Sequence, residues 1–220
     1  MCIHVELPSG HRLPKSESSH KKRFPWRLAD GDVELVKLSL RNNPVRLEEF
    51  FALYNKNRQH LLPWHNEQEV LLFKNIAAMK AHIRKQKLSW HAVYYAGTMV
   101  GLIELRDRDE YINISYWVDE DYTRKGIAHA ALAMMDRALS AMRCNCLQAK
   151  ILADNEPSTN LMKKLNYTLH AAEFYVRESG ESDHMVVFQK ILRNRRRHKS
   201  NAPQRVSGKK FHMPHSGITN

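Results

Sequence analysis

The chain has 220 residues, of which 43% are hydrophobic, so it can bury one core and is expected to form one domain with tails. No apolar run approaches the ~18 residues of a membrane span, and the N-terminus lacks the apolar stretch of a secretory signal. The three cysteines, Cys2, Cys144 and Cys146, form no disulfide framework and lack zinc spacing. Thirteen histidines contain no tight ligand pair. We therefore expect a cytoplasmic protein, monomer or homodimer, with no metal and no membrane partner.

The net charge of +12 is concentrated at the two ends of the chain. Residues 1–29 hold six Lys/Arg and two acids, residues 193–220 hold eight Lys/Arg and no acid, and residues 30–192 hold equal numbers of each. The composition predicts a mostly irregular basic N-terminal extension and a disordered basic C-terminal tail around a domain at 30–192. Such tails either attract polyanions such as ribosomal RNA through counterion release or are merely solvated.

Hydrophobic periodicity within the domain predicts the element order β αα βββ α β α ββ. The predicted strands span residues 33–40, 90–95, 98–106, 111–118, 147–152, 167–178 and 184–192. The predicted helices span about 44–57, 67–87 and 127–142, with a short fourth helix beginning near Asn155. Three consecutive strands inside an alternating pattern favour a mixed α/β sheet over a doubly wound parallel one.

The segment 114–133 carries the most specific pattern in the chain. A predicted strand stops at the acidic run after Val118, a helix begins at Ile127, and Thr-Arg-Lys-Gly-Ile-Ala lies between them at 123–128. A glycine at a helix start lets an anionic group approach the free N–H groups of the first turn, and two basic side chains precede it. The segment therefore predicts a pyrophosphate site that is neither a GxGxxG nor a GxxxxGK[ST] loop.

These residues resemble the acetyl-CoA loop of the GCN5-related N-acetyltransferases (GNAT), Q/R-x-x-G-x-G/A, with Gly126 and Ala128 at the small positions and Thr123 departing from the first. The Tyr-Trp-Val-Asp at 116–119, the Asn-Glu-Pro-Ser at 155–158 and the Leu-Asn-Tyr at 165–167 are similar to the RimJ/RimL-like branch, which acetylates protein N-termini. The resemblance covers roughly 33–192. It implies a mostly antiparallel GNAT-type sheet of about seven strands with about four helices, and acetyl-CoA as co-substrate.

The resemblance also implies where the co-substrate binds. A strand edge that splays from its neighbour would offer backbone amides to the thioester carbonyl and the pantetheine arm, and the loop and helix start would hold the pyrophosphate. Asn155 would be a second pantetheine contact, although it also fits a plain helix cap. The expected contacts are Tyr116, Trp117, Val118, Arg124, Lys125, Gly126, Ile127, Ala128 and Asn155.

Acyl transfer to an amine needs a group that takes the amine proton and can use one that assists the leaving thiolate. Glu104, in an otherwise apolar strand, is either that base or a solvent-facing residue, and Glu173 is the second candidate because RimL-type enzymes carry a proposed base at a similar place. Ser158 matches the serine that the branch uses as proposed donor to the thiolate. The tyrosine that many GNAT enzymes use is replaced by Met162, which cannot donate a proton.

The sequence says least about which amine accepts the acetyl group. Leu62, Pro63 and Trp64 resemble a segment that walls the acceptor pocket in the RimJ/RimL-like branch, but they also fit an ordinary apolar turn after a helix. The resemblance implies acetylation of a protein N-terminus, such as that of a ribosomal protein. Two alternatives remain: acetylation of a small amine, such as a polyamine or an amine-bearing antibiotic, and a non-catalytic basic module that binds nucleic acid.

Overall fold

The computed structural model describes residues 2–6, 27–38, 44–64, 73–86, 88–176 and 182–192. The strands in these ranges are β1 (Cys2–Glu6), β2 (Arg27–Asp30), β3 (Val33–Lys37), β4 (Ser89–Tyr95), β5 (Thr98–Asp107), β6 (Ile112–Val118), β7 (Cys146–Leu152), β8 (Thr168–Val176) and β9 (Ser182–Ile191). The helices are α1 (Pro44–Lys56), α2 (Arg58–Leu61), α3 (Ile76–Gln86), α4 (Ile127–Ala141) and α5 (Glu156–Lys164), and a 3₁₀ turn spans Glu120–Tyr122.

The strands form one sheet in the order β1-β8-β9-β7-β6-β5-β4-β3-β2. Every neighbouring pair is antiparallel except β6 and β7. The predicted fold class, a mixed and mostly antiparallel sheet flanked by helices, is confirmed. The described sheet has nine strands where the sequence analysis predicts about seven.

The two additional strands lie at the N-terminal end, within the residues predicted to be mostly irregular. β1 pairs with β8, with Cys2 opposite Tyr175, and β2 pairs with β3, with Arg27 opposite Val36. Both occupy the edges of the sheet, where main-chain hydrogen bonds suffice to hold a strand. Periodicity misses such strands because an edge pairing does not require an alternating apolar pattern.

The second predicted helix begins later than expected. α3 begins at Ile76, because the side chain of Asn75 accepts a hydrogen bond from the Ala78 amide at 2.9 Å and so caps the first turn. Phe73 is buried but lies before the helix. The first part of that prediction, at 67–72, lies outside the described residues, as do the end of the first predicted strand, the turn at 179–181 and the C-terminal tail at 193–220.

Helices cover both faces of the sheet. α4 packs its apolar stripe, including Ile127, Ala131, Met135 and Leu139, on one face against strands β3, β5, β6 and β7. α1 and α3 cover the opposite face over β4 and β5, where Phe50 packs among aromatic side chains. Each face therefore has a core of its own. Burying each large apolar side chain in these cores contributes about 1.5–3 kcal/mol of stability. Because both faces are covered, an active site must lie at an end of the sheet or in a gap within it.

Such a gap opens between β6 and β7. These parallel strands pair only where Ile112 lies opposite Leu147 and Asn113 lies opposite Gln148. Beyond that point β6 stays paired with β5 as far as Val118, while β7 stays paired with β9 as far as Leu152. The two strands therefore diverge, and their facing edges pair with no described strand. We call this opening the splay. It is the feature that the GNAT resemblance implies.

Candidate active site

The predicted pyrophosphate loop lies where β6 ends. Arg124 (φ 62°) and Gly126 (φ 76°) both adopt left-handed backbone conformations and turn the chain into α4, whose first amides have no intrahelical acceptor. Residues 123–126 are exposed, and a β-carbon added to Gly126 would meet nothing within 4 Å. The ammonium group of Lys125 lies 4.5 Å from the ring centre of Tyr122. An open helix N-terminus with flanking positive charge can bind a diphosphate.

Asn155 and Ser158 lie at the other side of the splay, where β7 leads into α5. The Asn155 side chain accepts a hydrogen bond from the Ser158 amide at 3.1 Å, so it caps α5. Because β6 and β7 are parallel, their C-terminal ends, and with them the loop at 123–126 and the start of α5, lie at the same end of the sheet. The structure thus brings the predicted cofactor residues around one opening, while their contacts with acetyl-CoA stay a prediction.

Tyr116 projects from the diverging part of β6. Its hydroxyl oxygen is buried and has no hydrogen-bond partner of good geometry among the described residues. Burial raises the pKa of Tyr116, and the hydroxyl of Ser158 beside it opposes that rise. Tyr116 and Ser158 therefore face each other across the splay, from β6 and α5 respectively.

A pocket lies on the face that α1 and α3 cover, and it reaches the splay at Tyr116. Its walls are mostly aromatic and its polar groups are few. The lining side chains are Phe50, Tyr54, Phe73, His82, Trp90, Leu102, Glu104, Ser115, Tyr116 and Trp117. Trp117, which the sequence analysis assigns to the cofactor through its backbone, contributes its side chain to this wall. A group bound in the pocket would approach the splay from the side opposite α4.

Glu104 is the carboxylate of this pocket. It lies on β5 opposite Ser115 of β6, and Trp90 Nε1 donates a hydrogen bond to its Oε2 at 2.8 Å. The guanidinium of Arg106 lies 3.5 Å from Oε1, and 19% of the Glu104 side chain is exposed. The carboxylate is thus oriented by its partners and still reachable from solvent, as a proton acceptor must be.

Glu173 lies elsewhere. It is on β8 and receives hydrogen bonds from Lys150 Nζ at 2.7 and 3.0 Å. Four strand intervals, one of them the splay, separate β8 from β5, and at a spacing of ~4.8 Å per paired interval the two strands are about 19 Å or more apart across the sheet. The two predicted bases therefore cannot act on the same proton.

The structure does not bring the predicted acceptor wall into the pocket. Leu62, Pro63 and Trp64 follow α2, with Pro63 and Trp64 exposed, and none of the three lines the pocket. Of the aromatic residues that line it, Tyr116 and Trp117 were predicted as cofactor contacts, and the others were not predicted as site residues. Phe50 and Tyr54, four residues apart on α1, and Trp90, the donor to Glu104, are examples. The spacing of two aromatic residues on one helix face was the available signal, but it is equally typical of an ordinary core.

An ion-paired cluster connects the helix over the pocket with the loop at the splay. Lys56, the last residue of α1, donates hydrogen bonds to Asp119 at 2.8 and 3.0 Å and to Asp121 at 2.5 Å. The Asn57 side chain accepts from the Glu120 amide at 3.0 Å. The hydrogen bonds to Asp119 and Asp121 raise the pKa of Lys56, and the hydrogen bond from Lys56 lowers that of Asp121. Asp119 itself is buried.

Other reactive groups lie away from this opening. Burial raises the pKa of the Cys146 thiol to about 11, so it is protonated at neutral pH and a poor nucleophile. Within the ranges that the structure describes, no three His, Cys, Asp or Glu side chains are grouped closely enough to hold a metal ion. None of the described helices combines the length and the apolar character that crossing a bilayer requires.

Comparison with known proteins agrees with this geometry. The profile of a family described as "Acetyltransferase (GNAT) domain" matches residues 25–168. No curated protein matches the sequence significantly.

Several solved structures are similar in fold. One is RimL, a ribosomal L7/L12 alpha-N-protein acetyltransferase in complex with coenzyme A, with a TM-score of 0.64 and 16% identity over 78% of this chain and 98% of that one. Another is the microcin C7 self-immunity acetyltransferase MccE in complex with acetyl-CoA and AMP, with a TM-score of 0.63 and 18% identity over 74% of this chain and 93% of that one. A third is the ribosomal-protein-S5-alanine acetyltransferase from Vibrio fischeri, with a TM-score of 0.61 and 16% identity over 76% of this chain and 96% of that one.

Proposed function

The chain belongs to the GNAT acetyltransferase family, and from this membership we propose that it moves the acetyl group of acetyl-CoA to the α-amino group of a protein N-terminus. It is an acetyl-CoA-dependent N-acetyltransferase, so a non-catalytic nucleic-acid module is not proposed.

The observation that carries the proposal is the meeting of the pocket and the splay at Tyr116. The loop at 123–126 and the open edge of β6 would hold the co-substrate from one side, with a free amide of the stretch 116–118 as donor to the carbonyl oxygen. The amine would enter through the pocket from the other side, beside Glu104. Holding the two reactants in this way is itself a large part of catalysis.

We assign the base role to Glu104. It lies in the pocket, one strand away from the open edge of β6, whereas Glu173 is engaged with Lys150 on the far side of β7. Glu104 would take the proton of the attacking amine and pass it to water.

The lower basicity of an α-amine favours it as the acceptor. An N-terminal amine has a pKa of about 7.7–8.0, whereas a lysine or polyamine nitrogen is near ~10.4. Neutralising the latter costs about 3 kcal/mol more at the same pH, whatever the base. The pocket contains one carboxylate, which suits a single amine and not a chain of cationic centres. Two similar structures are named as acetyltransferases of ribosomal proteins, in keeping with this acceptor.

The second candidate acceptor is a small amine. The MccE structure, which is described as a microcin self-immunity enzyme, has a fold about as similar to this chain as the RimL structure. The aromatic walls of the pocket would suit a small ligand with an apolar or aromatic part.

One experiment separates these acceptors. The protein is incubated with labelled acetyl-CoA and an equimolar mixture of a peptide with a free N-terminus, the same peptide with a blocked N-terminus and a free lysine, and spermidine. Mass spectrometry should find the label mainly on the free N-terminus, and Glu104→Gln should remove it. Preferential labelling of spermidine or of the blocked peptide would contradict the proposal.

We also propose a cytoplasmic protein whose basic tails increase its residence at ribosomal RNA. Residues 7–26 and the C-terminal tail at 193–220 lie outside the described residues, and this role is supported by their charge alone. Cutting the chain after Leu192 should leave the acetylation rate of a free peptide unchanged and weaken co-sedimentation with ribosomes, which should itself fall steeply with salt. Co-sedimentation that is indifferent to both the cut and the salt would contradict this role.

A further inference from the structure

The buried hydroxyl of Tyr116 is not explained by the packing of the protein. Its ring packs partly against the core under α4, yet its oxygen is shielded from solvent and has no well-formed hydrogen bond to the described residues. Leaving a buried hydroxyl unpaired costs about 1–3 kcal/mol, so such a group calls for a specific reason. Its place in the diverging part of β6 suggests that the reason is a ligand in the splay.

Ser158 is the described side chain that acts on this hydroxyl. Its position is fixed, because its amide is bound to the Asn155 side chain at 3.1 Å and it lies in the first turn of α5. Its hydroxyl opposes the larger effect of burial, which raises the pKa of Tyr116. Tyr116 therefore stays protonated at neutral and mildly alkaline pH, so it has a hydrogen to donate and does not act as a base.

The next position on the same face of α5 supplies no hydrogen. Met162, one turn after Ser158, is fully buried in the core and has no proton to donate. Hydrogen-bond donation at this side of the splay thus depends on the two hydroxyls that face each other there.

We propose that Tyr116 is a positioning residue that acts through Ser158 on the departing sulfur. When the co-substrate occupies the splay, Tyr116 donates its hydrogen bond to Ser158 Oγ, and the hydrogen of Ser158 is thereby directed at the thioester sulfur. This inference rests on the proposed acetyl transfer.

The step balances without a further reactant. The amine nitrogen forms its bond to the acetyl carbon and loses its proton to Glu104, and the carbon–sulfur bond breaks with its electron pair passing to sulfur. Ser158 donates a hydrogen bond to that sulfur, and water protonates the thiolate after release. Full proton transfer from Tyr116 would be unfavourable, because a thiol has a pKa of about 8.5 and an unperturbed tyrosine one of about 10.

The test compares Tyr116→Phe with Tyr111→Phe, which removes the hydroxyl of another half-buried tyrosine just before β6, at the end of that strand opposite the splay. Tyr116→Phe should lower kcat about tenfold and leave the acceptor KM unchanged, as expected for the loss of one hydrogen bond from the pair that ends on the charged sulfur. It should also raise the pKa of the thiol of bound coenzyme A, which a pH titration of thiolate absorbance measures without turnover. Tyr111→Phe should change neither quantity.

Two further measurements address the route through Ser158. Acetyl-seleno-coenzyme A, whose leaving group is a far weaker base, should restore most of the rate of Tyr116→Phe. Ser158→Ala should raise the pKa of the bound thiol similarly, and the double variant should lose no more than the worse single variant. Additive losses, or an unchanged thiol pKa in both single variants, would overturn the inference.

The thiol titration also keeps this inference separate from the proposed function. If the wild-type protein acetylated none of the offered amines, the acceptor assignment would fail, yet the thiol pKa of bound coenzyme A would still report on Tyr116 and Ser158. If an amine is acetylated but the titration shows no difference between Tyr116→Phe and wild type, only the positioning role is wrong.

Discussion

In the proposed reaction, the two sides of the splay would recognise their ligands by different means. At the loop of 123–126, the binding groups would be backbone amides at the start of α4, set by the left-handed conformations of Arg124 and Gly126. In the pocket under α1 and α3, they are side chains: aromatic rings and the carboxylate of Glu104. A backbone site suits a ligand that is the same in every turnover, whereas a side-chain site can change its ligand by substitution without changing the fold.

The largest expected effect lies on the side-chain half. Glu104→Gln keeps the hydrogen bond from Trp90 but removes the proton acceptor, so kcat/KM should fall about 10²- to 10³-fold. Calorimetric titration should find coenzyme A affinity unchanged, because the backbone half is intact.

Glu173→Gln is the matched control for that experiment, since it also neutralises a partly exposed glutamate on a strand of the same sheet. It should leave kcat/KM within about twofold of wild type. If Glu173→Gln instead abolishes activity and Glu104→Gln retains it, the assignment of the base is wrong.

A smaller effect is expected on the backbone half from Gly126→Ala. Alanine at φ 76° is strained by about 1–2 kcal/mol, and its β-carbon points into the open space where a diphosphate would lie. Coenzyme A should bind about tenfold more weakly, while the acceptor KM stays unchanged. Gly97→Ala is the control, because Gly97 has φ 81° and equally open surroundings but lies in the turn between β4 and β5. Equal weakening of coenzyme A binding in both variants would show a general loss of stability and not a local site.

The smallest effect is expected from the cluster that connects the two halves. Lys56→Met removes the hydrogen bonds to Asp119 and Asp121, so the end of α1 and the loop after β6 lose a common anchor. We expect a several-fold rise in both KM values together, measured by varying one substrate at saturating levels of the other. Arg137→Met, which removes an exposed ion pair with Asp30, is the control. A rise in only one KM would contradict a shared anchor.

The difference between the halves also explains which parts were predictable. The pyrophosphate loop, α4 and the Asn155 cap depend on neighbouring residues, so local patterns predicted them. The pocket is assembled from α1, β4, β5 and β6, and nothing in the sequence near Glu104 indicates that Trp90 will donate to it. β1 and β2 were missed for the same reason: their pairing partners are distant or their pattern is too short. The early start predicted for α3 was avoidable, since Asn75 is a recognisable cap.

The two-position contact between β6 and β7 has a mechanical consequence. The nine strands behave as two ribbons joined at one corner, β1-β8-β9-β7 and β6-β5-β4-β3-β2, and the amide-rich pantetheine arm can serve as a missing strand that bridges them. Thermal protection by the co-substrate should therefore depend on that arm, and a nucleotide fragment without it should protect far less at equal saturation. In this respect acetyl-CoA would both donate the acetyl group and join the two parts of the sheet by main-chain hydrogen bonds.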